Sequence, residues 1–366
     1  MSYVYEVKLS EVISQLPEIL PLNVERNFSI KDDMFLCALG FEDRCTQIPR
    51  LLAEKSKYKS KEAIFFEYST NIEDNDINRS ELMTFLNSFS ELVNPMQCDV
   101  ENFVPNLRQT FLRICQKEDC PKITFDISSC SSKLLLSVMK ILLESNIELR
   151  IVYSEANVYH PTKSEIEKNE KSVKKGALSK GVAEVLPSSE HPGYNLDALP
   201  DAVIAFATFN PERTKSMIVE LDESLLEMSE DRVNWVLGHP HHPKDAWRSD
   251  YLKEINKISD TAPLFKESTF YYKNTLTLLY KLWQKNFSKY HLNISPLGSK
   301  MQSLAISLFH YIKPDITITF SPPLKYDASN FSEGCKATWM IDLGSLGEIR
   351  NALDEVGIIK IKSRKK

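Results

Sequence analysis

Short apolar runs alternate with longer amphipathic segments along the chain. The runs at 34–39, 63–66, 123–127 and 147–153 are predicted to be buried or half-buried strands, and helix-like sequence follows each of the first three. The same order begins again near residue 202, with a first strand at 203–207. This alternation predicts an α/β fold, with a mostly parallel sheet covered by helices on both faces.

The second half of the chain repeats landmarks of the first half at a nearly constant offset. The pairs are 167 to 169 positions apart: Arg44 with Arg213, Arg79 with Arg248, Asn106 with Asn274, Gln116 with Gln284, Ser132-Lys133 with Ser299-Lys300, and Ser154 with Ser321. An offset this constant over the length of a domain is typical of a repeat. We therefore predict two tandem Rossmann-like domains that arose by internal duplication.

The repeat and the local composition predict the domain boundaries. Residues 1–160 form the first Rossmann-like repeat, and residues 201–345 form the second. Residues 161–200 are polar and charged, which is typical of a linker with one exposed helix. Residues 346–366 form a C-terminal helix, a strand and a basic tail.

Composition narrows the classes of function. The 366 residues are 42% hydrophobic and 26% charged, as in an ordinary globular protein, and the net charge of -5 argues against binding to bulk DNA. No apolar run approaches the roughly 18 residues that span a bilayer, and the N-terminus lacks the order of a secretory signal. We expect a cytoplasmic protein without membrane contact. Seven cysteines form no C-x-x-C pair, and neither a P-loop nor a dinucleotide fingerprint is present, so we expect reduced thiols and no cofactor.

A charged turn follows the first strand of each half. It reads Gly40-Phe41-Glu42-Asp43-Arg44 in one half and Phe209-Asn210-Pro211-Glu212-Arg213 in the other. Ligands of open parallel sheets bind outside the carboxyl ends of the strands, where a guanidinium group can hold a phosphate. The alternative is a helix N-terminus with local pairing of the charges. The candidate ligand-binding residues are Gly40, Glu42, Asp43, Arg44, Glu212 and Arg213.

A loop rich in serine and ending in lysine follows a later strand of each half. The first copy runs from Asp126 to Lys133 and the second from Asn293 to Lys300. Small residues admit a ligand to backbone amides, and a helix N-terminus attracts an anion. Ordinary serine capping is the alternative. The candidates here are Ser128, Ser129, Ser131, Ser132, Lys133, Ser295, Gly298, Ser299 and Lys300.

Further candidates are the serines that end the next strand of each half, Ser154 and Ser321, each with a tyrosine five residues later. Turn formation is the alternative role of these serines. His239-Pro240-His241-His242 resembles a metal cluster, but no spaced cysteine or carboxylate completes it, so no metal is predicted. A pairing of Cys45 or Cys130 with His160 has no supporting motif.

These loops resemble those of the CRISPR-associated Rossmann fold (CARF) sensors of prokaryotic defence systems. In that family, a loop after the first strand and a Ser/Thr-Lys loop after a later strand bind cyclic oligoadenylate across two copies of the fold. The segments 40–44 and 209–213 match the place of the first loop, and 128–133 and 295–300 match the place of the second. The resemblance implies two Rossmann-like units that face each other over a shared anionic ligand.

Three hypotheses of function follow. The leading one is a nucleotide-sensing or nucleotide-processing module of a prokaryotic defence system, whose arginines and lysines neutralise the phosphates of a cyclic or linear nucleotide. A second is a structural docking subunit of a defence or repair complex, with an exposed interface on the helix at 276–287 and a protein partner. The third is an enzyme on a nucleoside or nucleic acid; its candidate catalytic residues are Glu42, Asp43, Asp126, Lys133 and Lys300. Since Asn293 replaces Asp126 in the second half, only the first half offers that carboxylate.

Overall fold

We analysed a computed structural model of the chain, which describes residues 2–6, 8–28, 31–168, 179–225, 232–328, 331–356 and 359–363. The elements of the first half, in chain order, are β1 (Ser2–Glu6), α1 (Leu9–Gln15), β2 (Leu20–Pro21), α2 (Val24–Asn27), β3 (Asp32–Ala38), α3 (Gln47–Lys55), β4 (Ser60–Glu67), α4 (Ile72–Asp76), α5 (Arg79–Phe89), β5 (Ser90–Gln97), α6 (Phe103–Cys115), β6 (Lys122–Asp126), α7 (Ser132–Glu144) and β7 (Glu148–Tyr159).

The remaining elements include those of the second half. They are α8 (Lys163–Lys168), β8 (Ser179–Lys180), β9 (Leu186–Pro187), β10 (Asp201–Phe206), α9 (Pro211–Leu221), β11 (Val233–His239), α10 (Trp247–Ile255), β12 (Leu264–Ser268), α11 (Tyr272–Asn286), β13 (His291–Ser295), α12 (Lys300–Ile312), β14 (Thr317–Phe320), β15 (Lys325–Tyr326), β16 (Ser332–Ser345), α13 (Leu346–Asp354) and β17 (Ile359–Ser363).

The two large sheets have the same arrangement of parallel strands. The first sheet has the order β2-β16-β7-β6-β3-β4-β5, and the second has the order β12-β11-β10-β13-β14-β9. In each, the five parallel strands follow the order third, second, first, fourth, fifth. The α/β fold with two mostly parallel, Rossmann-like sheets is thus confirmed. The shared order is what a duplication produces, and the common origin of the halves stays a prediction.

One hydrophobic core joins the halves. Helices α7 and α12 pack against each other, and their apolar residues share a cluster with one face of each large sheet, for example Met34 on β3 and Ile204 on β10. Two further clusters cover the outer faces, one beneath α3 and α5 and the other beneath α9 and α10. Because α11 contributes Leu276 and Leu279 to the central core, the prediction of an exposed interface along this helix is wrong.

The chain returns to the first sheet after completing the second. β16 runs antiparallel to β7 from Ser332 to Ser345, although the predicted second repeat extended to residue 345. The apolar side chains of β16 explain why this strand joins the first sheet and not the second half. Ile341 packs in the central core, and Met340 packs on the opposite face of the first sheet. β16 thereby covers an edge of β7 that would otherwise expose unpaired backbone groups.

The predicted linker also supplies edge strands. β9 pairs with β14, and β8 pairs with β15, whereas α8 is the exposed helix expected in this segment. At the chain ends, β17 pairs with β1, and residues 364–366 of the predicted basic tail lie outside the described residues. No helix in the described ranges combines the length and the apolar character that a bilayer span requires.

Candidate functional site

The arginine of the charged turn in the first half pairs with a glutamate of the same turn. Arg44 and Glu42 are 3% and 6% exposed, and the guanidinium Nη2 donates to Glu42 Oε1 at 2.7 Å and to Oε2 at 3.0 Å. Burial alone would lower the pKa of Arg44, but Glu42 more than offsets it, and the net pKa is raised. Most donors of the Arg44 guanidinium group therefore bond to other protein atoms. This agrees with the alternative prediction, in which the charges of the turn pair locally.

The same arginine ties the turn to the end of the fifth parallel strand. Arg44 Nη1 lies 3.4 Å from the carbonyl oxygen of Ser154. In the second half, Arg213 Nε donates to the carbonyl oxygen of Ser321 at 2.7 Å. The sequence-matched residues thus make matched contacts in both halves.

Arg213 differs from Arg44 in lacking a carboxylate partner. Glu212 is exposed, and no ion pair of Arg213 occurs among the described residues. Burial lowers the pKa of Arg213, while Tyr326, which bonds to the guanidinium, opposes this effect. Arg213 is thus a half-buried cation without a paired carboxylate in the described part of the chain.

The serines of the Ser-Lys loop in the first half mainly form hydrogen bonds that stabilise the loop. Asp126 Oδ1 accepts hydrogen bonds from both the backbone amide and the hydroxyl of Ser128, and Ser129 Oγ donates to the Ala38 carbonyl at 2.6 Å. Ser131 is the N-cap of α7, with Oγ accepting from the Leu134 amide at 3.1 Å. These contacts are those expected of a capped strand-to-helix turn.

The second Ser-Lys loop is capped in the same way but is displaced by one residue. Ser299 is the N-cap of α12, and its hydroxyl and Gln302 form a reciprocal capping box. Ser131 therefore corresponds in structure to Ser299, whereas the sequence alignment matched Ser132 with Ser299. Lys300 is the first residue of α12 and Lys133 the second of α7. Because each residue turns the helix by about 100°, the two lysines point in different directions.

The two lysines lie in different environments, and Lys300 is close to charged residues of the other half. Lys133 is exposed, whereas Lys300 is half-buried and close enough to Arg44, Glu42 and Cys130 of the first half to interact with them electrostatically. Burial and then Arg44 lower the pKa of Lys300, with Glu42 opposing them. No hydrogen bond or ion pair of the Lys300 ammonium group occurs among the described residues. We call the group Glu42, Arg44, Cys130 and Lys300 the junction site.

Both halves contain buried polar atoms without a hydrogen-bond partner among the described residues. Asp126 Oδ2 and the hydroxyls of Ser154, Ser295 and Ser321 accept or donate no hydrogen bond within the described part of the chain. Burial raises the pKa of Asp126 to about 7, although Ser128 and Arg44 lower it. Polar atoms of this kind cost free energy unless a further group satisfies them.

The two candidate glycines have roles in packing. A Cβ on Gly40 would lie 3.0 Å from Ser129 Cβ, and a Cβ on Gly298 would lie 2.9 Å from Phe206 Cδ1. The Asp43 carboxylate accepts a hydrogen bond from the backbone amide of Gly334 on β16 at 3.0 Å. Asp43 also lines a surface cavity of about 400 Å³, which extends to Arg50, Glu81 and Cys335.

The proposed pairing of His160 with a cysteine is absent from the structure. His160 Nδ1 lies 2.9 Å from Glu165 Oε2, and Nε2 lies 2.9 Å from Glu333 Oε1. Burial opposes protonation, but these two carboxylates raise the pKa of His160. Burial also raises the pKa of Cys45 to about 12, so this thiol is neutral at physiological pH.

The sequence reasoning missed Glu155, which follows Ser154 on β7. Its carboxylate is 3% exposed and lies against two histidines from the other half, with His242 Nε2 at 2.7 Å and His241 Nε2 at 3.6 Å. The His-Pro-His-His cluster was visible in the sequence. The carboxylate that completes it comes from a distant strand, and only the tertiary fold reveals it.

No family model and no curated protein matches the chain. Among solved structures, the chain is similar to the cytoplasmic domain of a prokaryotic cation chloride cotransporter, with 9% identity over 83% of this chain and 98% of that chain and a TM-score of 0.22. It is also similar to a putative universal stress protein from Pseudomonas aeruginosa UCBPP-PA14, with 9% identity over 88% of this chain and 98% of that chain and a TM-score of 0.23. Similarity this low carries no argument about function.

Proposed function

We propose that the chain binds an anionic, nucleotide-like ligand where the carboxyl ends of its two sheets meet. The observation that supports this proposal best is Lys300, a half-buried cation of the second half that interacts electrostatically with Arg44 of the first half and forms no ion pair among the described residues. Glu42 pairs with Arg44, whereas Lys300 has no ion pair among the described residues, so the positive charge of Lys300 is not directly neutralised. A phosphate group would neutralise this charge and recover part of the desolvation cost of burial.

The polar atoms nearby fit the same class of ligand. Ser154 on β7 and Ser321 directly after β14 have buried hydroxyls without a partner among the described residues, and Arg213 is a second cation that forms no ion pair there. Ser131 and Ser299 begin two helices of 13 residues each, whose N-termini favour anions. A ligand with several phosphates and hydroxyls would engage both halves at once.

The biological role that we propose is sensing or processing of a nucleotide, cyclic or linear, by a cytoplasmic module of a prokaryotic defence system. The support is the resemblance of the two loop pairs to those of CARF sensors. In this role the module passes the signal to a protein partner. Binding of the ligand would draw the halves together through α7 and α12, which already pack against each other.

A thermal-shift screen tests this proposal. ATP, linear oligoadenylates and cyclic oligoadenylates are added to the wild type and to Lys300→Ala, with Lys133→Ala as the matched control at the exposed lysine. We expect at least one of these compounds to raise the melting temperature of the wild type and of Lys133→Ala, but not of Lys300→Ala. No stabilisation, or equal stabilisation of all three proteins, contradicts the proposal.

Asp126 favours a second candidate function, cleavage of a bound nucleotide. Its carboxyl group has a pKa raised to about 7 by burial, and Oδ2 has no hydrogen-bond partner among the described residues, so it is poised for general base catalysis. Asp126→Asn, which removes the carboxylate but keeps the size of the side chain, would abolish turnover and leave binding intact. Chromatography of nucleotides after incubation with each protein measures this, and equal product from both proteins would exclude Asp126 as the base.

A further inference from the structure

Two histidines of the second half meet a buried carboxylate of the first half. His241 and His242 follow β11, and Glu155 lies on β7. One imidazole nitrogen of each histidine and a carboxylate oxygen of Glu155 all lie within 4.8 Å of one another. Two imidazoles and one carboxylate form a common ligand set for divalent transition metals.

The separations suit a single ion. His242 Nε2 lies 2.7 Å and His241 Nε2 lies 3.6 Å from Glu155 Oε1. Ligand atoms about 2.1 Å from one ion are at most about 4.2 Å apart, so only a small contraction is needed. His241 Nε2 is buried and has no hydrogen-bond partner among the described residues.

The contacts of His242 conflict in the absence of a metal. Its Nε2 lies 2.7 Å from Glu155 Oε1, which only accepts, and 2.5 Å from Lys336 Nζ, which only donates when charged. One imidazole nitrogen cannot donate to the first and accept from the second at the same time. An ion at this point would accept lone pairs from both Nε2 and Oε1 and would displace the ammonium group toward solvent.

The backbone supports this interpretation of Lys336. Cys335 pairs with Ala156 and Ala337 pairs with Glu155, so Lys336 is the extra residue of a β-bulge in β16. Bulges redirect side chains and are frequent beside functional sites. The exposed Lys336 side chain is thus free to leave His242 without breaking the strand pairing.

Outer contacts hold the ligand set in place. Trp339 Nε1 donates to Glu155 Oε2 at 3.2 Å, which leaves Oε1 for the ion. The His241 ring stacks on Phe270 with centroids 4.2 Å apart, and Phe270 lies edge-on to Trp339. Hydrogen bonds and packing of this kind orient the ligands of metal sites.

We propose that Glu155, His241 and His242 bind one divalent transition-metal ion of the zinc class. Three protein ligands leave a coordination position open for water or for an oxygen of a second ligand, as in catalytic rather than closed structural sites. Because the ligands come from both halves, the ion also cross-links them. This proposal does not depend on nucleotide binding at the junction site.

Equilibrium dialysis against ZnCl₂, with the bound metal measured by mass spectrometry, tests the proposal on the full chain. We expect one zinc per wild-type chain and loss of saturable binding in Glu155→Gln and in His241→Ala. Glu155→Gln keeps an acceptor for Trp339, so circular dichroism should show a native fold even if His241→Ala unfolds. Absence of saturable binding to the wild type, or unchanged binding by Glu155→Gln, would overturn the proposal.

Three further variants separate a metal site from a general effect on the loop. His239→Ala is the matched control, since His239 is an exposed histidine at the end of β11, two residues before His241, and contacts Ser249 Oγ at 3.2 Å; its zinc binding should equal that of the wild type. Lys336→Met should bind zinc severalfold more tightly because the competing ammonium group is gone. Trp339→Phe should bind about tenfold more weakly. Weaker binding by Lys336→Met would contradict the assigned geometry.

Discussion

Arg44 and Lys300 are neighbouring cations with different electrostatic environments. Arg44 donates hydrogen bonds to both carboxylate oxygens of Glu42, whereas Lys300 forms no ion pair among the described residues. A buried pair contributes little net stability compared with an apolar pair, but the loss of one partner leaves a charge that neither water nor protein compensates. The pair of Arg44 and Glu42 is therefore structural, and Lys300 is the residue on which the proposed ligand binding depends.

Removal of the Glu42 charge tests the structural role of this pair. Glu42→Gln should lower the free energy of unfolding by about 3–5 kcal/mol, because Arg44 then remains buried without a carboxylate. Urea unfolding measures the change. Glu91→Gln is the control, since Glu91 pairs with Lys31 on the surface and its loss should change little. Equal effects of both substitutions would contradict the structural role of Glu42.

Asp126 should give the protein a pH-dependent stability. Its folded pKa of about 7 lies above the value of 3.8 for an unperturbed Asp, so the folded state binds the proton more tightly. Stability from this group is present at low pH and is lost as the pH rises toward 7, by about 2–3 kcal/mol between pH 5 and pH 8. Unfolding free energies of the wild type and Asp126→Asn at both pH values measure it. A difference between the two proteins that stays constant with pH would contradict this account.

At the scale of elements, the helix caps decide which residues of the two halves are equivalent. Ser131 and Ser299 both begin helices of 13 residues, and this fixes the rotation of every later side chain. The sequence alignment placed Ser132 opposite Ser299, one residue away from the structural match. A shift of one residue on a helix turns a side chain by about 100°, which separates Lys133 from the surroundings of Lys300.

The Ser299 cap should contribute measurably to the stability of α12. Ser299→Ala removes the hydroxyl that accepts from the Gln302 amide at 3.2 Å, and we expect a loss of about 1 kcal/mol. Thermal unfolding measures the change, and Ser80→Ala on the exposed side of α5 serves as the control. A loss no larger than that of the control would show that the cap is not needed.

Much of this element-level organisation was predictable from the sequence. Apolar runs such as 34–39 and 123–127 indicated β3 and β6, because strands buried on both faces carry few polar residues. The return of β16 to the first sheet was not predictable, since the pairing of Met340 with Val152 depends on tertiary packing. For the same reason, Glu155 could not be assigned to His241 from sequence spacing.

At the scale of the whole molecule, the two halves are not independent domains. The central core takes residues from α7 and α12 together, and Ser303 Oγ donates to Ser132 Oγ at 3.0 Å across this interface. β16 adds a second connection by passing from the second half into the first sheet. Elements that bury a common core are expected to unfold together.

The shared core predicts one cooperative unfolding transition. Leu304→Ala, a substitution in the central core, should lower the stability by about 2–5 kcal/mol and increase amide exchange in β3 and β10 alike. Calorimetry and hydrogen exchange measure this effect. Two separate transitions, or faster exchange confined to β10, would show that the halves fold independently.

The most direct test of the central claim is the affinity of the junction site for nucleotides. Isothermal titration of ATP and of linear and cyclic oligoadenylates into the wild type, Lys133→Ala and Lys300→Ala compares the two lysines under one set of conditions. We expect the wild type and Lys133→Ala to bind at least one of these ligands with the same affinity, and Lys300→Ala to bind it at least about tenfold more weakly, which corresponds to about 1.4 kcal/mol. Equal affinities of Lys300→Ala and the wild type, or no binding by the wild type, would contradict the assignment of an anionic ligand to this site.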